Sequence, residues 1–87
     1  MKQEFRIAVT LKEGLLDPQG KAVEDALPTM GWTNVEGVRV GKLVRLTVEA
    51  EDGDAARARA EEVGRRLLAN PVIEDIEILS ERALEEA

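Results

Sequence analysis

Phe5, Ile7, Val9 and Leu11 alternate with Arg6, Ala8, Thr10 and Lys12, which is the period of a strand with one buried face. Ala22, Val23, Ala26, Leu27 and Met30 then recur at helical spacing and predict a first helix. Asp17 supplies a capping carboxylate before it, and Pro18 is preset for the first helical position. Pro28 removes a backbone donor late in that helix and Gly31 suits a left-handed cap, so the last turn should be loose or kinked. Two β-rich segments follow, Val35 to Val40 and Leu43 to Ala50. Gly41-Lys42 between them reads as a two-residue hairpin with Gly first. Residues 51 to 54 form a turn in which Asp54 is placed to cap a second helix, with Ala56, Ala60, Val63 and Leu67 as its stripe and Asn70-Pro71 as its stop. Ile73 to Leu79 reads as a fourth strand, and the tail, residues 80 to 87, as frayed or a short helix.

The order β-α-β-β-α-β is the split βαβ pattern of an α+β, ferredoxin-like domain, with an antiparallel sheet and two helices on one face. One such domain spans residues 1–87, with a core from about 4 to 79. The opposite sheet face would carry Arg6, Ala8, Thr10 and Lys12, then Arg45, Thr47 and Glu49, then Asp75 and Glu77. These small or oppositely charged residues suit either solvent or an assembly contact.

Composition narrows the function classes. A chain of 87 residues buries only roughly 60–65% of its unfolded surface, so partner surfaces could add to its stability. Its only aromatic residues are Phe5 and Trp32, and its net charge is −6. That charge repels phosphate backbones, and two separated aromatics make no stacking platform, so nucleic acid is set aside. Without cysteine or histidine there is no disulfide framework, thiolate chemistry or imidazole ligand for zinc. No apolar run resembles a signal peptide or membrane span, so a cytoplasmic protein with no membrane partner is expected.

The stretch GLLDPQGKA (14–22) lies between a strand and a helix, where a phosphate-binding loop would sit. It fails the G-x-x-x-x-G-K-[ST] pattern: five residues separate Gly14 from Gly20, Ala22 replaces the hydroxyl, and Pro18 deletes an amide. The helix start could still attract an anion, with Lys21 adding charge, although Asp17 competes for the same amides. The alternative is a capped helix start in which Gly20 permits close approach of a neighbouring chain. Arg39, Lys42 and Arg45 gather positive charge near the expected hairpin, a feature suited either to solvent or to partner docking. The acidic pairs Glu61-Glu62, Glu74-Asp75 and Glu85-Glu86 are sequence neighbours that point apart and do not converge on a substrate. Catalysis by the isolated chain is not expected from this inventory, and neither a metal nor a cofactor site is evident.

Three stretches in this order, VTLKEGLLDPQGKAVEDAL (9–27), VRVGKLVRLTVE (38–49) and LLANPVIEDIEI (67–78), resemble the PurS family, the small subunit of phosphoribosylformylglycinamidine synthase in purine biosynthesis. The resemblance covers about Phe5 to Ile78. Pro28 and Ile76 depart from the family's usual residues without touching these motifs. The resemblance implies a noncatalytic subunit that forms homodimers or tetramers and bridges a glutaminase subunit and a large synthetase subunit. The synthetase would use ATP, magnesium and ammonia released from glutamine to convert formylglycinamide ribonucleotide to formylglycinamidine ribonucleotide. No cofactor would be bound by this chain. Asp17, Pro18, Gln19, Gly20 and Lys21, together with Arg39, Gly41 and Lys42, are the candidate subunit contacts. The alternative is an ACT-like regulatory domain, also βαββαβ, with an amino acid bound at the loop containing LLDPQGKA.

Overall fold

The computed structural model describes residues 1–84. The α+β class, the antiparallel sheet and the two helices are as expected. Strand β1 (Lys2–Leu11) is central, flanked by β2 (Lys42–Glu49) and β3 (Glu74–Leu84) in the order β2-β1-β3. Helix α1 (Pro18–Ala26) follows β1, and α2 (Gly53–Val63) joins β2 to β3. Alternation in β1 works as the pattern requires. Phe5, Ile7 and Val9 are the largest fully buried side chains, and they meet Val48, Ala56, Ala60 and Ala69 in the core. Ala56 and Ala60, one turn apart and both fully buried, let α2 lie close against the sheet.

The expected hairpin at Gly41-Lys42 does not form. Lys42 is already in β2, opposite Val9, and Val35 to Val40 belongs to no sheet strand. Parity explains this. Val38, Val40, Val44, Leu46 and Val48 are all even-numbered and at least partly buried, with only Lys42 exposed among the even positions from 38 to 48. A two-residue turn would pair residue 40 with residue 43 and move Val38 and Val40 to the face of Arg45 and Thr47. Continuous alternation instead favours one extended run. Among the described residues the sheet therefore has three strands, and residues 38–41 continue β2 past the end of β1.

Helix α1 does not share the face that α2 covers. Its expected stripe is open, with Val23 45% and Met30 66% exposed. The chain is accordingly elongated, with a radius of gyration of 16.6 Å against about 12 Å for a compact chain of this length. The helix is shorter than expected, since α1 stops at Ala26 and leaves Pro28 and Met30 outside it, but the last turn is loosened as anticipated: a 3₁₀ turn at Pro28–Met30 closes on Gly31, whose φ of 96° is left-handed.

Three further expectations need correction. The cap of α2 is Asp52, whose Oδ1 accepts the Ala55 N–H at 2.8 Å; Asp54 sits in the first turn. The helix continues into a wider π turn at Gly64–Leu68, so Leu68 packs on the core while Leu67 is 78% exposed. A period of 3.6 cannot foresee that extra residue. Finally, residues 80–84 of the tail are neither frayed nor helical. A bulge lets Arg6 face Ser80 and Ile7 face Ile78, so that β3 runs on to pair Leu84 with Lys2; residues 85–87 lie outside the described residues. The N-terminal half of β1 has backbone groups to satisfy on this side, and β3 supplies them.

Candidate subunit interface

The eight candidate residues converge where β1 ends, α1 begins and the extension of β2 passes. Asp17, although a carboxylate, is buried. Its Oδ1 accepts the Gly20 N–H at 3.0 Å, capping α1, and its Oδ2 accepts the Val40 N–H at 2.6 Å, tying the extended segment to the helix. These two amides, with the Gly20 bond foremost, hold the Asp17 carboxyl below its ordinary value; burial opposes them and the Arg39 charge assists.

Glu24 does the same work two helical turns later. Its Oε1 accepts the Val38 N–H at 2.9 Å, so two carboxylates of α1 satisfy alternate amides of the extended segment. Sequence reasoning missed Glu24. The available signal was its spacing of seven from Asp17, which places both on one side of the helix.

Two glycines make the approach possible. A Cβ on Gly20 would overlap the Val38 carbonyl oxygen, and one on Gly41 would overlap the Val9 carbonyl oxygen. Close backbone approach thus requires glycine at both places. Arg39 fixes the loop from the other side. Its guanidinium donates to the carbonyls of Leu15 at 2.8 Å, Lys12 at 3.1 Å and Leu11 at 3.4 Å. Pro18 and Gln19 are exposed beside a shallow cleft of about 370 Å³ that Gly41, Lys42 and Glu74 also line. Lys21 turns to Asp25 at 2.7 Å, and that hydrogen bond and charge raise its pKa.

The positive cluster expected around the hairpin is dispersed. Arg39 is committed to the loop carbonyls, while Lys42 and Arg45, at even and odd strand positions, project from opposite faces. Nor does the helix start hold an open anion site, because Asp17 already occupies the Gly20 amide. Exposed apolar side chains flank the junction along the chain: Leu15 39% and Leu16 75% before Asp17, and Leu43 60% after Lys42. This surface suits protein contact better than a small polar ligand.

The family model for PurS, described as phosphoribosylformylglycinamidine (FGAM) synthase, matches residues 4–82. The chain belongs to the PurS family. The PurS subunit of phosphoribosylformylglycinamidine synthase from Bacillus subtilis is 47% identical over 72 residues, covering 83% of this chain and 84% of its own length. The corresponding subunit from Methanocaldococcus jannaschii is 37% identical over 76 residues, covering 87% and 92%. Among solved structures, Thermus thermophilus PurS superposes with a TM-score of 0.85 at 39% identity, over 98% of this chain and all (100%) of that one. A chain in the PurLQS structure from Thermotoga maritima matches with a TM-score of 0.81 at 32% identity, over 90% and 95%. The Thermus match takes in 98% of this chain, so the superposition extends well beyond the three-stranded sheet.

Proposed function

We propose that this chain is the noncatalytic PurS subunit of phosphoribosylformylglycinamidine synthase, bridging the glutaminase and the ATP-dependent synthetase in purine biosynthesis. The observation that carries this reading is the family match over residues 4–82. The presence of a relative in a PurLQS structure supports the two-partner assembly. In this role the complex converts formylglycinamide ribonucleotide to formylglycinamidine ribonucleotide. ATP, magnesium and glutamine are handled by the partner subunits, and the chain works in the cytoplasm beside them. No helix among the described residues is long and apolar enough to cross a membrane.

Physical chemistry gives the subunit its purpose. Ammonia released into water near neutral pH is largely protonated and lost as a nucleophile, so a glutamine-dependent ligase gains from surfaces that exclude water along its route. A surface needs no nucleophile of its own. The strip formed by Asp17, Pro18, Gln19, Gly20 and Lys21 with Arg39, Gly41 and Lys42 is shaped for contact by backbone proximity and by the apolar residues around it.

The test is to mix this chain with the glutaminase and synthetase of the same cell and compare glutamine-driven with ammonia-driven product formation. Glutamine-driven turnover should require the chain, and ammonia-driven turnover should depend on it far less. Full glutamine-driven activity without it would remove the assignment.

A further inference from the structure

The π turn at the end of α2 moves a leucine from the buried side of the helix to its outer side. Ala56, Ala60 and Gly64, all buried, step along the side that meets the sheet. In a regular helix the next positions on that side are 67 and 68. Here they are 68 and 69: the Ala69 N–H donates to the Gly64 carbonyl at 3.0 Å, five residues back, so that Leu68 packs on the core, Ala69 is buried and Leu67 is 78% exposed. The helix cannot roll to take Leu67 in, because Gly64 lies directly on Ile76, whose Cδ1 would be 2.6 Å from a Cβ at that position.

Val72 is equally exposed, and these two are the most exposed large apolar side chains among the described residues. The backbone between them is closely held. The Val72 N–H donates to Asn70 Oδ1 at 3.0 Å and the Asn70 N–H to Glu74 Oε1 at 2.8 Å. The Asn70 carbonyl accepts the amides of Ile73 at 3.1 Å and Glu74 at 2.7 Å. A single exposed leucine needs no explanation. A break in the helix ladder that turns one outward on an ordered backbone is different, because a pre-ordered apolar group loses little freedom on binding and such turns cluster at functional sites.

Charge indicates the occupant. Arg59 and Arg66 lie with Leu67 in a shallow cleft of about 310 Å³, together with Glu62 and Val63. Both guanidiniums are exposed and share the one Glu62 carboxylate, at 3.8 and 3.2 Å. Exposed pairs of this kind hold weakly, so a further carboxylate can engage the remaining donors. From residue 55 to 68 the chain carries four arginines against two glutamates, although its net charge is −6. A two-fold contact between copies would set this basic end against itself, whereas an acidic protein surface complements it.

We propose that the end of α2 docks an enzyme subunit of the complex, with Leu67 entering an apolar socket edged by carboxylates and Arg59 and Arg66 pairing with those carboxylates. This rests on the two-partner reading and supplies the second contact that a bridge needs, since the cleft shares no residue with the junction built from Asp17, Gly20 and Gly41. The extra residue in the helix is what presents the leucine.

Titrating the chain into synthetase plus glutaminase and following glutamine-driven product formation gives the chain concentration at half-maximal rate. Leu67→Ser, and separately Arg59→Glu with Arg66→Glu, should raise that concentration by about tenfold or more. The arginine reversal should also flatten its dependence on salt. Chain mass in solution and Tm should stay as in the unaltered protein, because the altered side chains are exposed. Deletion of Leu67 is the sharper variant. It converts the five-residue bond to an ordinary four-residue one, leaves Leu68 and Ala69 in place, and should fold yet dock as poorly as Leu67→Ser. Half-maximal concentrations unchanged in Leu67→Ser and in the arginine reversal, or raised only in step with a fall in Tm, would overturn the docking surface alone. An unaltered chain that adds nothing to glutamine-driven turnover would overturn the two-partner reading itself.

Discussion

Gly20 offers a sharp test of how α1 is held. Replacing it with Ala adds one methyl group to a helix, and propensity alone would stabilise that helix by about 0.8–1 kcal/mol. Position decides otherwise. The new Cβ would overlap the Val38 carbonyl oxygen and lie 2.6 Å from Asp17 Oδ2. Neither neighbour yields readily, since one is backbone and the other is fixed by the Val40 amide. Overpacking of this kind costs about 1–3 kcal/mol, so the net effect is a loss of up to about 2 kcal/mol, relieved only if residues 38–40 move off the helix. Gly53→Ala is the matched control. Its Cβ would touch only Gln3 Oε1, at an ordinary 3.5 Å, and the gain should be up to about 1 kcal/mol.

Thermal unfolding at fixed protein concentration reads both changes, because any self-association makes the midpoint concentration-dependent. For a chain this size about 1 kcal/mol corresponds to about 4–8 °C in Tm. Gly20→Ala should fall by several degrees and Gly53→Ala should rise. Amide exchange should show the Val38 and Val40 amides deprotected in Gly20→Ala alone. If Gly20→Ala instead raises Tm as Gly53→Ala does, with both amides still protected, the close-approach reasoning is refuted.

Three other outcomes follow from the geometry. The Asp17 carboxyl has a folded pKa below its ordinary 3.8, so its contribution is present above that value and lost as pH falls through the lower folded one; the Val40 amide resonance should shift in that acid window, and Asp17→Asn should abolish the transition. Phe5→Ala empties the largest buried site and should cost about 3–5 kcal/mol, enough to leave a small domain largely unfolded by circular dichroism. Lys42→Glu reverses a charge that is exposed at the candidate interface; co-purification with the synthetase and glutaminase should weaken, and unchanged assembly would remove Lys42 from the contact surface.

Much of the candidate site was legible because it depends on local rules. Asp17 before Pro18 announced a capped helix, which follows from backbone chemistry that a few neighbouring residues specify; Gly20 was expected to admit a neighbouring chain, and the backbone it admits is this chain's own Val38. The second job of Asp17 was not legible. The Val40 amide is twenty-three residues away, and no local pattern pairs them. Glu24 was half legible: its spacing of seven puts it on the side of Asp17, but no local pattern pairs it with the Val38 amide fourteen residues on. The hairpin error was different in kind. Gly41-Lys42 satisfies turn chemistry, but the even-numbered valines on both sides of it require one unbroken alternation, and face matching over a long run outweighs the preference of two turn residues.

The sequence by itself determined the class of fold, the central strand with Phe5, Ile7 and Val9, the first residues of both helices to within a turn, and the family. These rest on periodicity, capping chemistry and motif order, all of which are written along the chain. Tertiary structure alone decided that α1 stands away from the sheet, that the segment before β2 extends it instead of folding back, and that β3 runs on past its bulge to Leu84. Those outcomes depend on which distant backbone groups find partners, and hydrogen bonds between residues 17 and 40 or 24 and 38 exist only once the chain has closed on itself.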